Sequence, residues 1–475
     1  MNIESEYSTR IEESPTVTSE DSDLSKQEMQ KKTISGFSKL SKRAKLRWVA
    51  EHFFTEPEAV IRELKSFWHG DEQQQKVIDD FSENTISNFV LPFGIAPNLK
   101  INGKTYAVPM VIEESSVVAA ASSAMKFWMN RGGFKAEVID TQKLGQVHFS
   151  WSGNSETLRE LFPQIEAKLR TDAAPLSKNM EARGGGILTI ELLDLTHEEA
   201  DYYQLKVSFE TCDSMGANFI NSILEQFGKS LQEFVAESPA LKDEERSVEI
   251  IMAILSNYTP DCLVRTWVEC PVEQLEGACK DLNAVGFADK FSKAVRIARI
   301  DPYRATTHNK GIFNGIDAVV LATGNDFRAI EACGHTYAAK DGQYRSLTQC
   351  EVKDGIFKFW LDIPLAIGTV GGLTKLHPLA HRSLELLGNP SAQELMMIIA
   401  ATGLAQNFAA VRSLVTTGIQ QGHMKMHLLN ILNHLGATEQ EVKDAIVHFK
   451  DKVVSFTAVR EFLDWLRGKA PKLAE

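Results

Sequence analysis

The sequence has no CxxC pair and no zinc-type spacing among its six cysteines, Cys212, Cys262, Cys270, Cys279, Cys333 and Cys350. Scattered this way, they exclude a disulfide framework and a structural metal and read as reduced thiols filling core positions. There is no GxGxxG behind a strand and no GxxxxGK[ST], so neither a Rossmann fingerprint nor a P-loop is available. No uninterrupted apolar run approaches the ~20 residues of a bilayer crossing. The richest stretches are Met396–Ala401 and Val117–Ala121. Positive charge is in deficit: 51 Lys and Arg against 63 Asp and Glu leave a formal net charge of −12, which excludes nonspecific nucleic-acid binding through a basic field. The first residues are acidic and hydroxylated and lack the apolar centre of a signal peptide. The expectation is a cytoplasmic protein that binds neither membrane nor nucleic acid.

With 475 residues, 43% of them hydrophobic, the chain can bury two or three cores. Residues 1–32 are rich in Ser, Thr and Glu without apolar periodicity and read as a disordered extension. Ser82–Gly103 reads as loop, with an Asn102–Gly103 turn leading into a strand at Thr105–Ile112 and a helix from about Ser115 to Asn130. Strand-like runs at Val147–Trp151, Ile187–Leu193, Gln204–Phe209 and Val248–Leu255 alternate with helical ones at Ser155–Leu169 and Asn218–Glu237, which predicts a compact insert with its own sheet. Ser391 with Glu394, and Thr438 with Glu441, read as capping boxes opening two further helices. Gly418 and Gly422 mark the tail from 418 as a segment able to move.

Anionic ligands on so acidic a chain require local cations, and these gather at Lys39–Arg47 and at Asp301–Lys310. Four segments set titratable groups among small or polar neighbours in the manner of ligand loops: Glu113–Ser116, Asp301–Gly315, Ala322–Arg328 and Gly422–His427. Taken singly, each polar residue there reads as an ordinary cap, turn or surface side chain. His423 and His427 stand at helical spacing, but no HExxH and no third ligand accompany them, so no metal is expected.

Together the segments say more. Glu83-Asn-Thr-Ile-Ser, Pro109-Met-Val-Ile-Glu-Glu-Ser-Ser-Val-Val-Ala-Ala-Ala-Ser122, Asp213-Ser-Met-Gly-Ala-Asn218, Asp301-Pro-Tyr-Arg-Ala-Thr-Thr-His-Asn-Lys-Gly-Ile-Phe-Asn-Gly315, Gly324-Asn-Asp326, Gly368-Thr-Val-Gly-Gly372 and Gly422-His423 resemble the signature blocks of 3-hydroxy-3-methylglutaryl-CoA (HMG-CoA) reductase, in the soluble class of bacteria and archaea. They stand in the family's order and span the chain from about Gly36.

The resemblance implies an α+β fold. A large helix-rich substrate domain around a central helix would comprise 33–140 and 257–417, interrupted at 141–256 by a ferredoxin-like nicotinamide-binding domain, with a helical flap at 418–475. It implies reduction of HMG-CoA to mevalonate and CoA by two hydrides, in a homodimer or a higher assembly of dimers. Lys310 matches the catalytic lysine, whose ammonium would stabilise the developing oxyanion. Glu114 matches the glutamate that moves a proton to the carbonyl oxygen; to act as an acid it needs burial and a second carboxylate, the place of Asp326 between Glu114 and Lys310. His423 matches the histidine that protonates the departing thiolate. Arg304 would grip the terminal carboxylate, with Ser116 and Asn314 beside it.

Asp213, Asn218 and Asn257 fall at positions lining the nicotinamide nucleotide, and Gly368–Gly372 where backbone approaches a ligand or a second subunit closely. Ser177 stands where NADH-using relatives carry an aspartate, followed by Lys178, so NADPH is expected over NADH. Two departures stand out. Ser115 replaces a proline, and Ser38 replaces an arginine that some relatives use for CoA, which leaves Lys39 or the basic run behind it for that task. The competing readings are a non-catalytic acyl-CoA- or nucleotide-binding protein on this scaffold and a reductase of another acyl-CoA. Retention of all four catalytic groups opposes the first, and Arg304, useful chiefly for a carboxylate, opposes the second.

Overall fold

A computed structural model describes residues 32–279, 281–416, 428–450 and 452–469. By contacts the chain divides between Val90 and Leu91 into two compact units.

The first unit holds α1 (Lys42–Phe53), α2 (Pro57–Ser66) and α3 (Glu72–Asp79); α1 and α2 share a small cluster of Leu46, Ala50 and Ile61, and α3 is tied to α1 by Lys42 and Asp79. Ser41 and Asp71 cap α1 and α3 through side-chain oxygens, and Pro57 starts α2, where a missing N–H costs nothing.

The second unit opens with a hairpin, β1 (Phe93–Ile101) and β2 (Lys104–Val111). Asn102 and Gly103 both have positive φ, 49° and 91°, the two-residue turn that a right-twisted hairpin favours. This corrects the loop expected over Ser82–Gly103: β1 hides behind Pro97, which sits where the register slips between Ala96 and Leu99, the one kind of place a strand tolerates proline. Then come α4 (Val117–Met129), β3 (Lys135–Val138), β4 (Lys143–Ser150), α5 (Ser155–Glu181), β5 (Gly186–Asp194), β6 (Tyr202–Glu210), α6 (Ala217–Glu237) and β7 (Glu249–Ser256). Strands β4 to β7 form an antiparallel sheet in the order β5-β6-β4-β7, with α5 and α6 supplying the core that covers one face. The helix α5 outruns its expected end at Leu169. Its apolar stripe Leu158, Leu161, Ile165, Leu169, Ala173 and Met180 keeps helical period through Pro163 and Pro175, so burial overrides the local breakers.

Downstream lie β8 (Leu263–Pro271), α7 (Ala284–Ile300), α8 (Pro302–Ala322), α9 (Phe327–Ala338), β9 (Thr348–Lys353), β10 (Ile356–Pro364), α10 (Leu373–Leu376), α11 (Pro378–Leu386) and α12 (Ala392–Val415). A second antiparallel sheet, β3-β8-β10-β9, joins strands from both sides of the β4–β7 segment. The largest core gathers around α12, most of whose circumference is buried. By length and composition α12 alone among the described residues is apolar enough to cross a membrane, and 83% of that apolar window is buried inside the protein. Thr402, Gln406 and Asn407 interrupt its apolar residues, so it forms no uninterrupted run in the sequence.

Helix α8 corrects a second expectation, since Asp301–Gly315 is helix and not loop. Asp301 caps it by accepting from the Tyr303 N–H at 3.0 Å, and Pro302 starts it. It crosses α12 so closely that a Cβ on Gly315 would lie 2.9 Å from the Thr402 carbonyl oxygen, and one on Gly403 2.7 Å from Ile316. Ser391 caps α12 as expected, but Glu394 does not close the box: its carboxylate accepts from Tyr106 at 2.6 Å and Lys104 at 2.5 Å on the hairpin. Thr438 and Glu441 do form a capping box, at the start of α13 (Glu439–His448). With α14 (Phe456–Leu466) this segment packs a separate small core that includes Leu428, Leu432, Ala445 and Phe462.

Candidate active site

A cavity of about 720 Å³ opens between the start of α4, the exposed face of α8 and the second half of α12. Helical spacing aims Arg304, Lys310 and Asn314 into it, while Glu114 and Ser116 enter from the turn before α4. Ser116 takes a left-handed conformation, φ 75°, as the cap of α4. A serine rarely adopts that region, and such strain collects at functional sites.

Lys310 Nζ donates to Glu114 Oε2 at 2.7 Å, and the Asn314 amide reaches the same oxygen at 3.4 Å. The lysine side chain is 60% exposed, so this pair contributes little stability, and its partners can be exchanged when a ligand arrives. Arg304 lines the same cavity, half buried and with no acidic partner among the described residues. Burial holds its guanidinium below its ordinary titration range.

Two groups that the sequence reading did not single out form the floor. His308, 1% exposed, shares a hydrogen with the Thr348 hydroxyl at 2.5 Å through Nε2, and its Nδ1 has no partner among the described residues. Burial, then the Arg304 charge, pushes its pKa down to about 3, so it stands neutral at pH 7. Gln406 also lines the cavity, with a buried Oε1 that has no partner among the described residues. The signal for both was weak: a polar pair, Gln406-Asn407, inside an otherwise apolar helix, and a histidine inside a motif already assigned to its lysine.

Asp326 is not between Glu114 and Lys310 here. As the cap of α9 it accepts from the N–H groups of Arg328 and Ala329 at 3.1 and 3.3 Å, and the Arg328 guanidinium grips both its oxygens at 3.0 Å. Burial pushes its carboxyl up, but the Arg328 guanidinium and the two amides outweigh that and hold it below the usual carboxylate range. His423 lies outside the described residues.

At the foot of the β4–β7 sheet, Asn257 and the Met215–Ala217 turn line one small cavity, and Asn218 stands exposed in the first turn of α6. Asp213 is engaged: its carbonyl receives the Thr369 N–H at 2.8 Å and its carboxylate the Ala392 N–H at 2.7 Å, at the start of α12. The close approach expected at Gly368 is intramolecular, because a Cβ there would meet the Met215 nitrogen at 2.4 Å. Ser177 requires correction as a ligand group. The phase of α5 turns it inward to 1% exposure, with its hydroxyl bonded to Glu181 and to the Ala174 carbonyl, while Lys178 points to solvent. In the first unit Lys39 ends an exposed 3-10 turn, and behind it Lys42 pairs with Asp79 at 2.5 Å.

A profile of the family described as Hydroxymethylglutaryl-coenzyme A reductase matches residues 43–428. The 3-hydroxy-3-methylglutaryl-coenzyme A reductase of Archaeoglobus fulgidus is 37% identical over 445 residues, covering 92% of this chain and 95% of its own. A probable 3-hydroxy-3-methylglutaryl-coenzyme A reductase of Borreliella burgdorferi is 33% identical over 423 residues, covering 88% and 92%. Among solved structures, the reductase from Streptococcus pneumoniae superposes with a TM-score of 0.67 at 37% identity, covering 91% of this chain and 100% of that one. A further structure of that enzyme, described as class II and bound to NADPH in open conformations, gives 0.66 at 36% identity, covering 86% and 99%. An α+β chain matched over this length by the family profile, by relatives above 30% identity and by a class II structure belongs to the hydroxymethylglutaryl-CoA reductase family, in class II.

Proposed function

We propose that the 720 Å³ cavity is where this chain, an NAD(P)H-dependent HMG-CoA reductase, converts HMG-CoA to mevalonate and CoA, with Lys310, Glu114, Asp326 and His423 as the catalytic groups. The observation that carries this reading is the Lys310–Glu114 pair at 2.7 Å in a cavity that also holds an arginine without an acidic partner among the described residues.

Arg304 holds the free carboxylate of the substrate in a two-pronged hydrogen bond, assisted by Ser116 and Asn314, and so sets the thioester carbonyl near Lys310. The nicotinamide nucleotide supplies the hydride at each of the two reductions. Lys310 stabilises the oxyanion at the carbonyl oxygen, and Glu114, in contact with the same ammonium, delivers the proton to that oxygen. The thiohemiacetal then collapses to mevaldehyde, its hydroxyl proton returning to Glu114 as the C–S bond breaks, and His423 protonates the departing sulfur. The aldehyde accepts the second hydride at its carbonyl carbon, while Lys310 again stabilises the alkoxide oxygen and Glu114 protonates it. Asp326 joins them by exchanging Arg328 for Lys310, a change of partner between exposed groups.

The residues at the foot of the β4–β7 sheet suit a dinucleotide. Asn218 and Asn257 are exposed amides with no protein hydrogen bond among the described residues, beside a turn whose backbone is already tightly packed. Segment 141–256 is proposed as the nicotinamide-binding domain, ferredoxin-like in its strand order, inserted in the substrate domain of 33–140 and 257–417, with 418–475 as the flap. NADPH is the proposed cofactor, through the exposed Lys178, and CoA is proposed to meet Lys39. The working assembly is proposed to be a cytoplasmic homodimer.

The test is purified protein with HMG-CoA and each nucleotide, following nucleotide absorbance and free thiol together. Two nucleotides oxidised per CoA released, with a higher kcat/KM for NADPH, is the expected result. No oxidation with either nucleotide overturns the reading.

A further inference from the structure

Lys143 opens β4 and is 5% exposed, the only lysine, arginine, aspartate or glutamate buried among the described residues. Its ammonium has no carboxylate partner there: it donates to the Thr211 hydroxyl at 2.5 Å and to the Ser214 carbonyl at 3.1 Å. The nearby Glu210 is taken by the Cys212 N–H at 2.6 Å and by the Thr141 hydroxyl. A cation withdrawn from water without a counter-ion is costly, and an apolar chain of similar length would fill the same space without that cost.

What the ammonium holds is a single turn. Thr211 passes its own hydroxyl hydrogen to the Ser214 carbonyl at 2.6 Å, and the Ser214 N–H returns to the Thr211 carbonyl at 3.0 Å. Gly216 follows with φ 84°, where a Cβ would lie 2.4 Å from Thr211 Cγ2, so only glycine lets the chain leave the turn. On one side the turn is tied to Thr369 and Ala392 through Asp213. On the other it launches α6 and Asn218, while Asn257 lines the same small cavity as Lys143 and Met215. Asp213 and the start of α6 with Asn218 thus take their relative positions from one cross-braced turn with the ammonium at its centre, and Asn257 lies across the same cavity.

We infer that Lys143 is a positioning residue for the nicotinamide nucleotide: it shapes the Thr211–Gly216 turn that presents Asp213 and Asn218, and it leaves one uncompensated positive charge at that corner for an anionic dinucleotide. The inference rests on the reading that these residues line the nucleotide site. Lys143 acts through the turn and touches no reacting atom.

The experiment titrates NADPH fluorescence, without HMG-CoA, on wild type, Lys143→Gln, Lys143→Arg and Thr211→Val, and adds both KM values and Tm. Lys143→Gln is expected to raise Kd and KM for the nucleotide about tenfold or more while KM for HMG-CoA stays within about twofold. Lys143→Arg, which keeps the charge, is expected to restore nucleotide affinity to within about threefold, and the near-isosteric Thr211→Val to weaken it about threefold. Equal rises in both KM values with a fallen Tm, or an unchanged nucleotide Kd, would overturn the inference. If Lys143→Gln does not fold, Thr211→Val carries the same comparison. Wild type that binds no nucleotide would overturn the nucleotide-site reading together with this inference, whereas wild-type binding that survives every substitution overturns the inference alone.

Discussion

Lys310 and Asp326 each do something visible without substrate, and their tests must separate that from chemistry. Lys310 is largely exposed and among the described residues pairs with Glu114 alone, so removing it costs the fold little. Lys310→Ala is therefore expected to keep Tm and lose about 100- to 1000-fold in kcat, the effect of removing one oxyanion donor. Turnover above about a tenth of wild type, a loss under ~1.4 kcal/mol, would show that the ammonium does not serve the transition state. Asp326 is harder, because it caps α9. Asparagine caps a helix as well as aspartate does, so Asp326→Asn should keep the unfolding free energy within about 1 kcal/mol of wild type yet abolish reduction. An active Asp326→Asn would mean that the residue is a cap and nothing more. Family motifs are what single out both residues in the sequence, but they do not give the partner of Asp326. Arg328 stands two positions along, and whether it grips its neighbour or faces solvent depends on a rotamer that no local pattern records.

The pair α8 and α12 sets the positions of Lys310 and Asn314 on one wall of the cavity and Gln406 on another. Their crossing depends on Gly315 and Gly403. Gly315→Ala forces a Cβ against the Thr402 carbonyl oxygen, and overpacking of this kind costs about 1–3 kcal/mol. Because the separation of the helices shifts the whole Lys310 face, activity should fall further than the loss of Tm accounts for, by about tenfold in kcat/KM. Activity tracking the folded fraction would refute that. The same helix carries Asp317, whose Oδ1 is buried without a partner among the described residues. Burial, then the charge and hydrogen bond of Glu331, raises its pKa to about 8. The folded state thus keeps a proton that the unfolded state releases near its ordinary 3.8, so stability falls as pH rises from there to about 8 and then levels. Asp317→Asn removes the penalty: Tm should rise by about 3 °C or more at pH 9 and hardly change at pH 4, and a rise equal at both would contradict the assignment. Alternating periodicity made the strands of the β4–β7 sheet legible. The strand β1 and the second half of α5 were hidden because prolines at a bulge and inside a packed stripe look like stops until the tertiary burial that overrides them is known. Asp301–Gly315 read as loop because its polar face is the cavity wall, which has no reason to be amphipathic in the ordinary sense.

At the scale of the whole molecule, composition excluded a disulfide scaffold and a nucleic-acid binder, and the family blocks identified the enzyme. The partition of burial needed the structure. Separate cores lie around α12, under α5 and α6, between α13 and α14, and within the first unit. What burial leaves outside is informative too. Val370, Leu373, Leu376 and Leu379 follow one another along the segment that leads into α11, each 41% to 62% exposed. Side chains of this kind are harmless singly, but several large ones in succession make the sort of patch that monomers seldom leave to water. The proposed homodimer has use for it, because a symmetric contact of about 800 Å² per partner needs an apolar centre, and the segment carrying these leucines includes Gly371 and Gly372, which are free of crowding within the chain. The expected mass in sedimentation velocity is twice the 52.9 kDa of one chain. Leu376→Asp places a charge at the most exposed of the four. It should shift the protein toward 52.9 kDa and leave Tm measured at low concentration nearly unchanged, since that side chain contributes little to the monomer's own core. If Leu376→Asp still sediments as wild type does, the association runs through another surface; if wild type itself sediments at 52.9 kDa at micromolar concentration, the dimer proposal fails.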